Sequence, residues 1–313
     1  MNFGIFFLLR INNIGSNSMK QICVSAVILA ALFTAASQCD ELDSDLAKSL
    51  LQERLYNTGL TTNGDSGFVL TSGTDTLYQG AWVVNMNGYL DRSGDNSPFY
   101  EFGVNLSASA GVWDDVFGIF SDMEVSLSVP YFFDEISSDS ESGMGDPRIS
   151  IKTKLLEGKI LSDLPDISVI LSAVLPGDEE GGYTALDQGG LEAGFIFGAE
   201  VPDSSGTSMF RLFLDVRYAV YDYLVSAEGD KEDQFITSHF GISFPILDLE
   251  NCFFLLESGR TVKNAQYLNG TDYAVSFRYQ SMSYNWTVGV VMKDFEEVYP
   301  SSRRLYLMYD HKF

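Results

Sequence analysis

The chain has 313 residues, of which 43 are Asp or Glu and 19 are Lys or Arg, so its formal net charge at pH 7 is -24. This charge argues against nucleic acid as a partner, because phosphate binding needs clustered Lys and Arg. Aromatic residues make up 13% of the chain, which excludes intrinsic disorder. With 28 Gly and only 8 Pro, the composition favours strands and turns over a helical bundle.

Residues 1–36 have the pattern of a secretory signal peptide. Lys20 precedes an apolar run from Ile22 to Phe33, and the small residues Thr34 to Ser37 follow it. A positive start, about a dozen apolar residues and a small-residue end are typical of a cleaved signal, and the run is too short to span a bilayer. Met19 on its own would open a complete signal. We therefore expect an exported protein.

Residues 37–78 differ in pattern from both the signal and the remainder of the chain. Leu42, Leu46 and Leu50 recur at helical spacing, which predicts a short amphipathic helix. Residues 58–75 are rich in Gly, Thr and Ser and indicate a loop. We predict that this region forms an N-terminal helix and loop, which act as a periplasmic or lumenal plug.

From Gln79 onward, apolar and polar residues alternate with a period of two. Val104, Leu106 and Ala108 alternate with polar neighbours, which places the apolar side chains on one face of a strand. Twelve such strands are predicted, at 81–90, 104–112, 123–133, 149–155, 166–175, 191–201, 210–220, 235–246, 252–260, 273–279, 285–293 and 304–313. No segment after the signal has the ~20 consecutive apolar residues of a membrane helix.

Alternation alone does not say whether the apolar faces meet lipid or a protein core. The segments are about ten residues long, as tilted membrane strands require. The last strand carries Leu305, Leu307 and Tyr309 on the face of the terminal Phe313. A terminal aromatic of this kind resembles the signal that delivers outer-membrane barrels to their assembly machinery. We predict a transmembrane antiparallel up-and-down β-barrel of about 12 strands over residues 79–313, in the bacterial outer membrane among lipid and lipopolysaccharide.

Connection lengths support the same orientation. When both termini are periplasmic, long outer loops should alternate with short inner turns. The long connections are predicted at 134–146, 177–188, 222–233 and 262–270. Aromatic residues near strand ends are expected to form interfacial girdles. The candidates are Trp82, Trp113, Tyr131, Tyr221 and Tyr309.

A short motif resembles a known family. The segment from Gly143 to Leu156 looks like the Gly-x-Gly-Asp turn and following strand of the outer-membrane transporters grouped with the meta-pathway of phenol degradation, and Leu171 to Asp178 resembles the next strand, although a Thr of the usual Pro-Thr-Gly-Asp is missing. Gly67 to Val83 is similar to the family's N-terminal approach to the barrel. The resemblance implies uptake of small aromatic or other hydrophobic solutes.

The polar faces of the strands supply the candidate solute path. Twelve strands should enclose a narrow lumen if nothing plugs it. The charged or titratable residues expected there are Lys152, Lys154, Glu192, Glu200, Arg211, Asp215, Arg217, Arg278 and His239. These residues could select solutes electrostatically, or they could form inter-strand ion pairs that stabilise a polar interior.

Three functions remain open from the sequence. The first is a channel for passive transport of small solutes, and the second is a non-conducting structural or adhesive barrel that acts through its acidic loops. The third is a soluble exported β-sandwich. The acidic loops could bind divalent cations or simply be solvated, and no stretch has calcium-loop spacing. With two His and no metal-spaced Cys/His cluster, we expect no enzyme, no cofactor and no metal site.

Overall fold

The computed structural model describes residues 59–93, 99–116, 120–136, 139–156, 165–177, 189–202, 208–221, 233–246, 249, 251–263, 270–295 and 302–313. The predicted signal peptide and N-terminal helix lie outside the described residues. Among those residues, no helix is long and apolar enough to cross a membrane.

A single antiparallel sheet closes on itself to form a barrel. The strands are β1 (Trp82–Ser93), β2 (Phe99–Val116), β3 (Phe120–Ile136), β4 (Asp139–Met144), β5 (Arg148–Leu156), β6 (Asp166–Val174), β7 (Gly190–Pro202), β8 (Ser208–Tyr221), β9 (Asp233–Pro245), β10 (Cys252–Lys263), β11 (Gly270–Gln280), β12 (Tyr284–Phe295) and β13 (Ser302–Lys312). Both β4 and β5 pair with β3, so together they form one strand of the wall. The barrel therefore has twelve wall strands, as predicted.

The first and last strands close the ring. β1 pairs with β13 from Val83 opposite Lys312 to Ser93 opposite Ser302. At the terminal end, Trp82 and Phe313 exchange two backbone hydrogen bonds and their rings stack with centroids 3.7 Å apart. The terminal aromatic thus completes the seam between the two ends of the barrel chain.

The apolar faces point outward, away from the barrel interior. Leu106 is 49% exposed, Phe195 is 54% exposed and Val288 is 44% exposed, although these are large hydrophobic residues in strand interiors. Their polar neighbours Asn105 and Thr287 are buried. A continuous apolar surface of this kind is favourable in hydrocarbon and unfavourable in water. The closed barrel also pairs its backbone groups internally, as lipid requires. The prediction of a transmembrane barrel is confirmed.

Two details differ from the sequence predictions. The segment 134–146 was expected to be a long loop, but β3 and β4 continue as a paired hairpin through Ile136 and Asp139. The alternating Ser and acidic residues of β4 can pair beyond the apolar band because both of its faces tolerate water. Tyr221 was expected at the outer interface, but it is inward-facing and buried, since Val220 takes the outward position at the end of β8.

The outer face gives a stability prediction. Leu256 lies near the middle of β10 and is 40% exposed, whereas Val262 lies near its end and is 42% exposed. We expect Leu256→Arg to lower the free energy of unfolding by about 2–4 kcal/mol and Val262→Arg by about 0–1 kcal/mol, because the cost of Arg falls toward the interface. Urea unfolding in lipid vesicles measures both. Equal losses for the two variants would contradict a lipid-facing β10.

Candidate functional site in the barrel interior

Residues 59–80, here called the inner segment, lie inside the barrel. Leu60, Asp65 and Val69 have no exposed surface. The inner segment folds on itself in tight turns, with Gly67 donating to the carbonyl of Gly59 at 2.7 Å and Thr62 donating to that of Val69 at 2.9 Å. Many of its other polar groups bond to side chains of the wall, so the interior is filled at the level of these residues.

One end of the inner segment is held by a pair of opposite charges on β10 and β11. The Glu257 carboxylate accepts the backbone N–H groups of Val69, Leu70 and Thr71 at 3.1, 2.7 and 2.7 Å. Arg278 donates to the carbonyls of Gly67 and Phe68 at 3.1 and 2.9 Å. The anion thus binds donors and the cation binds acceptors of the same turn.

Across the lumen, β3 and β5 hold the inner segment at Ser66. Glu124 accepts the Ser66 backbone N–H at 2.9 Å and its hydroxyl at 2.8 Å, and it also accepts the Leu77 N–H at 3.1 Å. Lys152 donates to the Ser66 hydroxyl and carbonyl, and to the Gly73 carbonyl at 3.2 Å. Both charged side chains are only 1% exposed, so these bonds replace the water that the charges would otherwise need.

A buried charge cluster links β8 to the inner segment. Arg217 binds Asp215 at 2.7 Å, Asp65 at 3.4 Å and the Ser72 hydroxyl. Burial opposes ionisation of Asp65, but Arg217 and Lys152 outweigh it and hold the pKa of this carboxyl below its ordinary value. Asp65 is therefore ionised at neutral pH. Its attraction to Arg217 and Lys152 stabilises the inner segment in this position.

Glycines on the wall make room for the inner segment. A β-carbon at Gly241 would come within 2.6 Å of the Phe68 ring, and one at Gly198 would collide with Thr74. Phe68 also packs against Phe213 of β8, with ring centroids 4.8 Å apart. These inward-facing glycines therefore leave the space that Phe68 and Thr74 of the inner segment occupy.

The structure brings most of the predicted lumen residues to the inner segment. Besides Lys152, Arg217 and Arg278, Asp215 accepts the Ser72 N–H at 3.4 Å. Arg211 binds Asp75, and Lys154 lies 3.8 Å from the same carboxylate. These six residues were predicted to line a constriction, and they converge on the inner segment.

The other three predicted residues contact the wall. Glu192 binds Arg148 and accepts the Tyr221 hydroxyl at 2.7 Å, and it lies 3.8 Å from Arg217. Glu200 pairs with Arg211 at 2.9 Å. His239 lies 3.7 Å from Asp272 on β11, and a separate charged group lies on β1, β2 and β13.

That separate group lies on the inner face of β1, β2 and β13. Arg304 pairs with Asp91 at 3.0 Å and lies 3.8 Å from Glu101. Its guanidinium also stacks over the Tyr89 ring at 4.0 Å, and Tyr89 in turn lies flat over Gly103. This arrangement lines the wall, and within the described part of the chain Arg304 and Asp91 bond to the wall and not to the inner segment.

Sequence reasoning missed the two carboxylates that hold the inner segment most directly. Glu124 alternates with the apolar Met123 and Val125, so it belongs to the polar face of its strand, but it was not chosen as a site residue. Glu257 lies in β10, where Phe253 and Leu255 share its inward face and Phe254 and Leu256 lie on the other. Because both faces of this strand are apolar, alternation did not indicate that Glu257 points into the lumen.

Among the described residues, no three His, Cys, Asp or Glu side chains cluster so that they could hold a metal ion. No family model matches the chain, and no curated protein matches it in sequence. The resemblance to the phenol-pathway transporters therefore has no support from a family match.

Solved barrel structures do match the fold. An outer-membrane channel from Pseudomonas putida F1 superposes with a TM-score of 0.57 at 11% identity, over 74% of this chain and 95% of that chain. The translocator domain of the autotransporter NalP from Neisseria meningitidis gives 0.46 at 8% identity, over 74% and 88%. The CymD monoaromatic hydrocarbon channel gives 0.42 at 9% identity, over 74% and 88%. The first of these likenesses shows the fold alone. With its lipid-facing exterior, this closed barrel is an outer-membrane protein, as predicted.

The buried charge cluster gives a second stability prediction. Arg217→Met would leave Asp65, Asp215 and Glu192 without their shared guanidinium, so we expect a loss of about 3–5 kcal/mol in unfolding free energy. The control is Arg260→Met, because Arg260 is exposed on the outer face of β10. Its effect should stay within about 1 kcal/mol, which is the usual upper limit for an exposed ionic contact. Urea unfolding in vesicles compares them, and similar losses would contradict a structural role for the cluster.

Proposed function

We propose that this protein is an outer-membrane channel for passive movement of small solutes, and that the inner segment closes its lumen in the conformation described. The observation that carries the proposal is the convergence of inward-facing charges on one segment. Glu124, Lys152, Arg217, Glu257 and Arg278 come from strands on different sides of the barrel and all bond to residues 59–80.

The chemistry of these contacts suits a removable closure. Every charged group that holds the inner segment could bind water instead if the segment moved, because the bonds are polar and not covalent. Ser66 and Ser72 supply small hydroxyl partners. The inner segment also makes apolar contacts, since Phe68 packs against Phe213 and belongs with Val69 to a buried apolar cluster that includes Leu255 and Met308 of the wall. Displacement would therefore expose this apolar cluster together with the polar groups of the lumen.

The vacated wall would carry charges of both signs. Lys152 is the register partner of Glu124 and lies 3.8 Å from it, Arg278 is on the strand next to that of Glu257, and Arg217 is on β8. This mixture of charges favours polar solutes that can exchange hydrogen bonds with the wall. The aromatic or hydrophobic solutes that the family resemblance implies would meet charged groups at this level. We therefore propose small polar solutes as the first class to test.

A second candidate is a barrel that does not conduct. The observation that favours it is the completeness of the closure, since Glu257 alone holds three consecutive backbone N–H groups. In that case the inner segment would be a permanent core of the barrel, and function would reside in the loops. Conductance separates the two candidates.

The first test loosens the closure. We expect Glu257→Ala to raise the frequency of channel openings in planar bilayers by about tenfold or more, because it removes three bonds to a charged acceptor. The control, Asp272→Ala, removes an inward carboxylate from β11 that contacts His239 on the wall. Its opening frequency should match that of the unmodified chain. Silence of all three proteins at high protein load would support the non-conducting candidate.

The second test tethers the closure. Thr74 of the inner segment lies against Gly198 of β7, so cysteines at these positions are close enough for a disulfide. In a chain with Cys39→Ser and Cys252→Ser, we expect Thr74→Cys with Gly198→Cys to be silent when oxidised and to conduct after reduction. Gly198→Cys alone should not respond to the oxidant. Equal conductance of the oxidised and reduced forms would refute closure by the inner segment.

A further inference from the structure

Two arginines lie directly opposite each other on the outer face of the barrel. Arg92 of β1 is the register partner of Arg303 of β13, and both side chains are exposed. They follow the outward alternation of their strands, because Leu90 and Leu305, two positions away, are 46% and 53% exposed. Like charges directly opposite each other on neighbouring strands destabilise the pair.

No acidic group offsets this repulsion among the residues that the structure describes. Met292 of β12 is the register partner of Arg303, and Asp294, two residues further along β12, is exposed. Within the described residues, Asp294 forms no ion pair with either arginine. By contrast, the inward neighbour Arg304 is paired with Asp91 at 3.0 Å. The inward cation is compensated within the fold and the outward pair is not.

The pair lies where the apolar band ends. β1 ends at Ser93 and β13 begins at Ser302, so both arginines are at the barrel end opposite Trp82 and Phe313. With the termini in the periplasm, that end faces the cell exterior. The row below them, with Leu90 and Leu305, is apolar, and an Arg at this depth costs little because its guanidinium reaches the headgroup layer.

We propose that Arg92 and Arg303 bind a phosphate group of the outer-leaflet lipid, the phosphorylated glucosamine headgroup of lipid A. Each guanidinium presents a planar fork that matches phosphate oxygens, and a phosphate between the two forks removes their repulsion. Tyr100, which is 43% exposed and is the register partner of Arg92, places a hydroxyl at the same level. The site is on the outer wall, so it is independent of whether the lumen conducts.

Binding can be measured on the full chain folded in detergent. Native mass spectrometry would compare bis-phosphorylated lipid A with dephosphorylated lipid A, each with and without EDTA. We expect the phosphorylated lipid to bind at least about tenfold more tightly, and Arg92→Gln with Arg303→Gln to remove most of that difference. Arg260→Gln, which removes one exposed outward arginine from β10, is the matched control and should retain it. Heat-modifiable migration on a denaturing gel verifies that each variant is folded.

Several results would overturn the assignment. Equal affinity for the two lipids, or no change in the double variant, would show that the arginines do not hold the phosphate. Binding that is lost in EDTA and is indifferent to the arginines would assign the lipid contact to acidic loops through divalent cations. Inorganic phosphate binding as tightly as lipid A would indicate a site for a free anion. Arg92→Lys with Arg303→Lys should weaken binding less than the Gln pair, because charge is kept and the fork is lost.

Discussion

The need to pair every backbone N–H and C=O group within hydrocarbon is the constraint on which the rest of this structure depends. A sheet can meet it only by closing, and here β1 and β13 close the ring next to Trp82 and Phe313. Closure gives each strand one face toward lipid and one toward a shared interior. The alternation of apolar and polar residues therefore follows from having lipid on one face and a polar interior on the other. The exposed Leu106 and Phe195 lie on the lipid face.

The same constraint creates a crowded polar interior. Inward-facing Lys, Arg and Glu residues cannot be left dry without partners, because an isolated buried charge is costly. Part of the demand is met within the wall, as between Arg148 and Glu192. The inner segment meets much of the remainder with backbone groups, small hydroxyls and the carboxylates of Asp65 and Asp75. One feature thus has two effects, since the groups that satisfy the wall charges also fill the space through which a solute would pass.

Agreement between sequence and structure follows the strength of the local signal. Twelve strands were predictable because lipid on one side and polar groups on the other impose a strict period of two. The hairpin through Ile136 and Asp139 was not, because beyond the apolar band neither face of β4 is distinctive. Tyr221 was assigned to the wrong face of β8, because successive side chains of a strand point to opposite faces and Val220 has the outward position. Six of the nine candidate lumen residues meet the inner segment, whereas Glu257 escaped notice on a strand that is apolar on both faces.

The sequence by itself determined the number of strands, the apolar face of most of them and most of the charges on the opposite faces, since each of these follows from periodicity along the chain. The closed sheet decided that the apolar faces point outward. Only the tertiary structure decided what those charges bind. Ser66 and Glu124 are 58 residues apart, and Val69 and Glu257 are 188 apart, so no local pattern relates them. The same holds for Arg92 and Arg303, which become neighbours only because the last strand returns to the first.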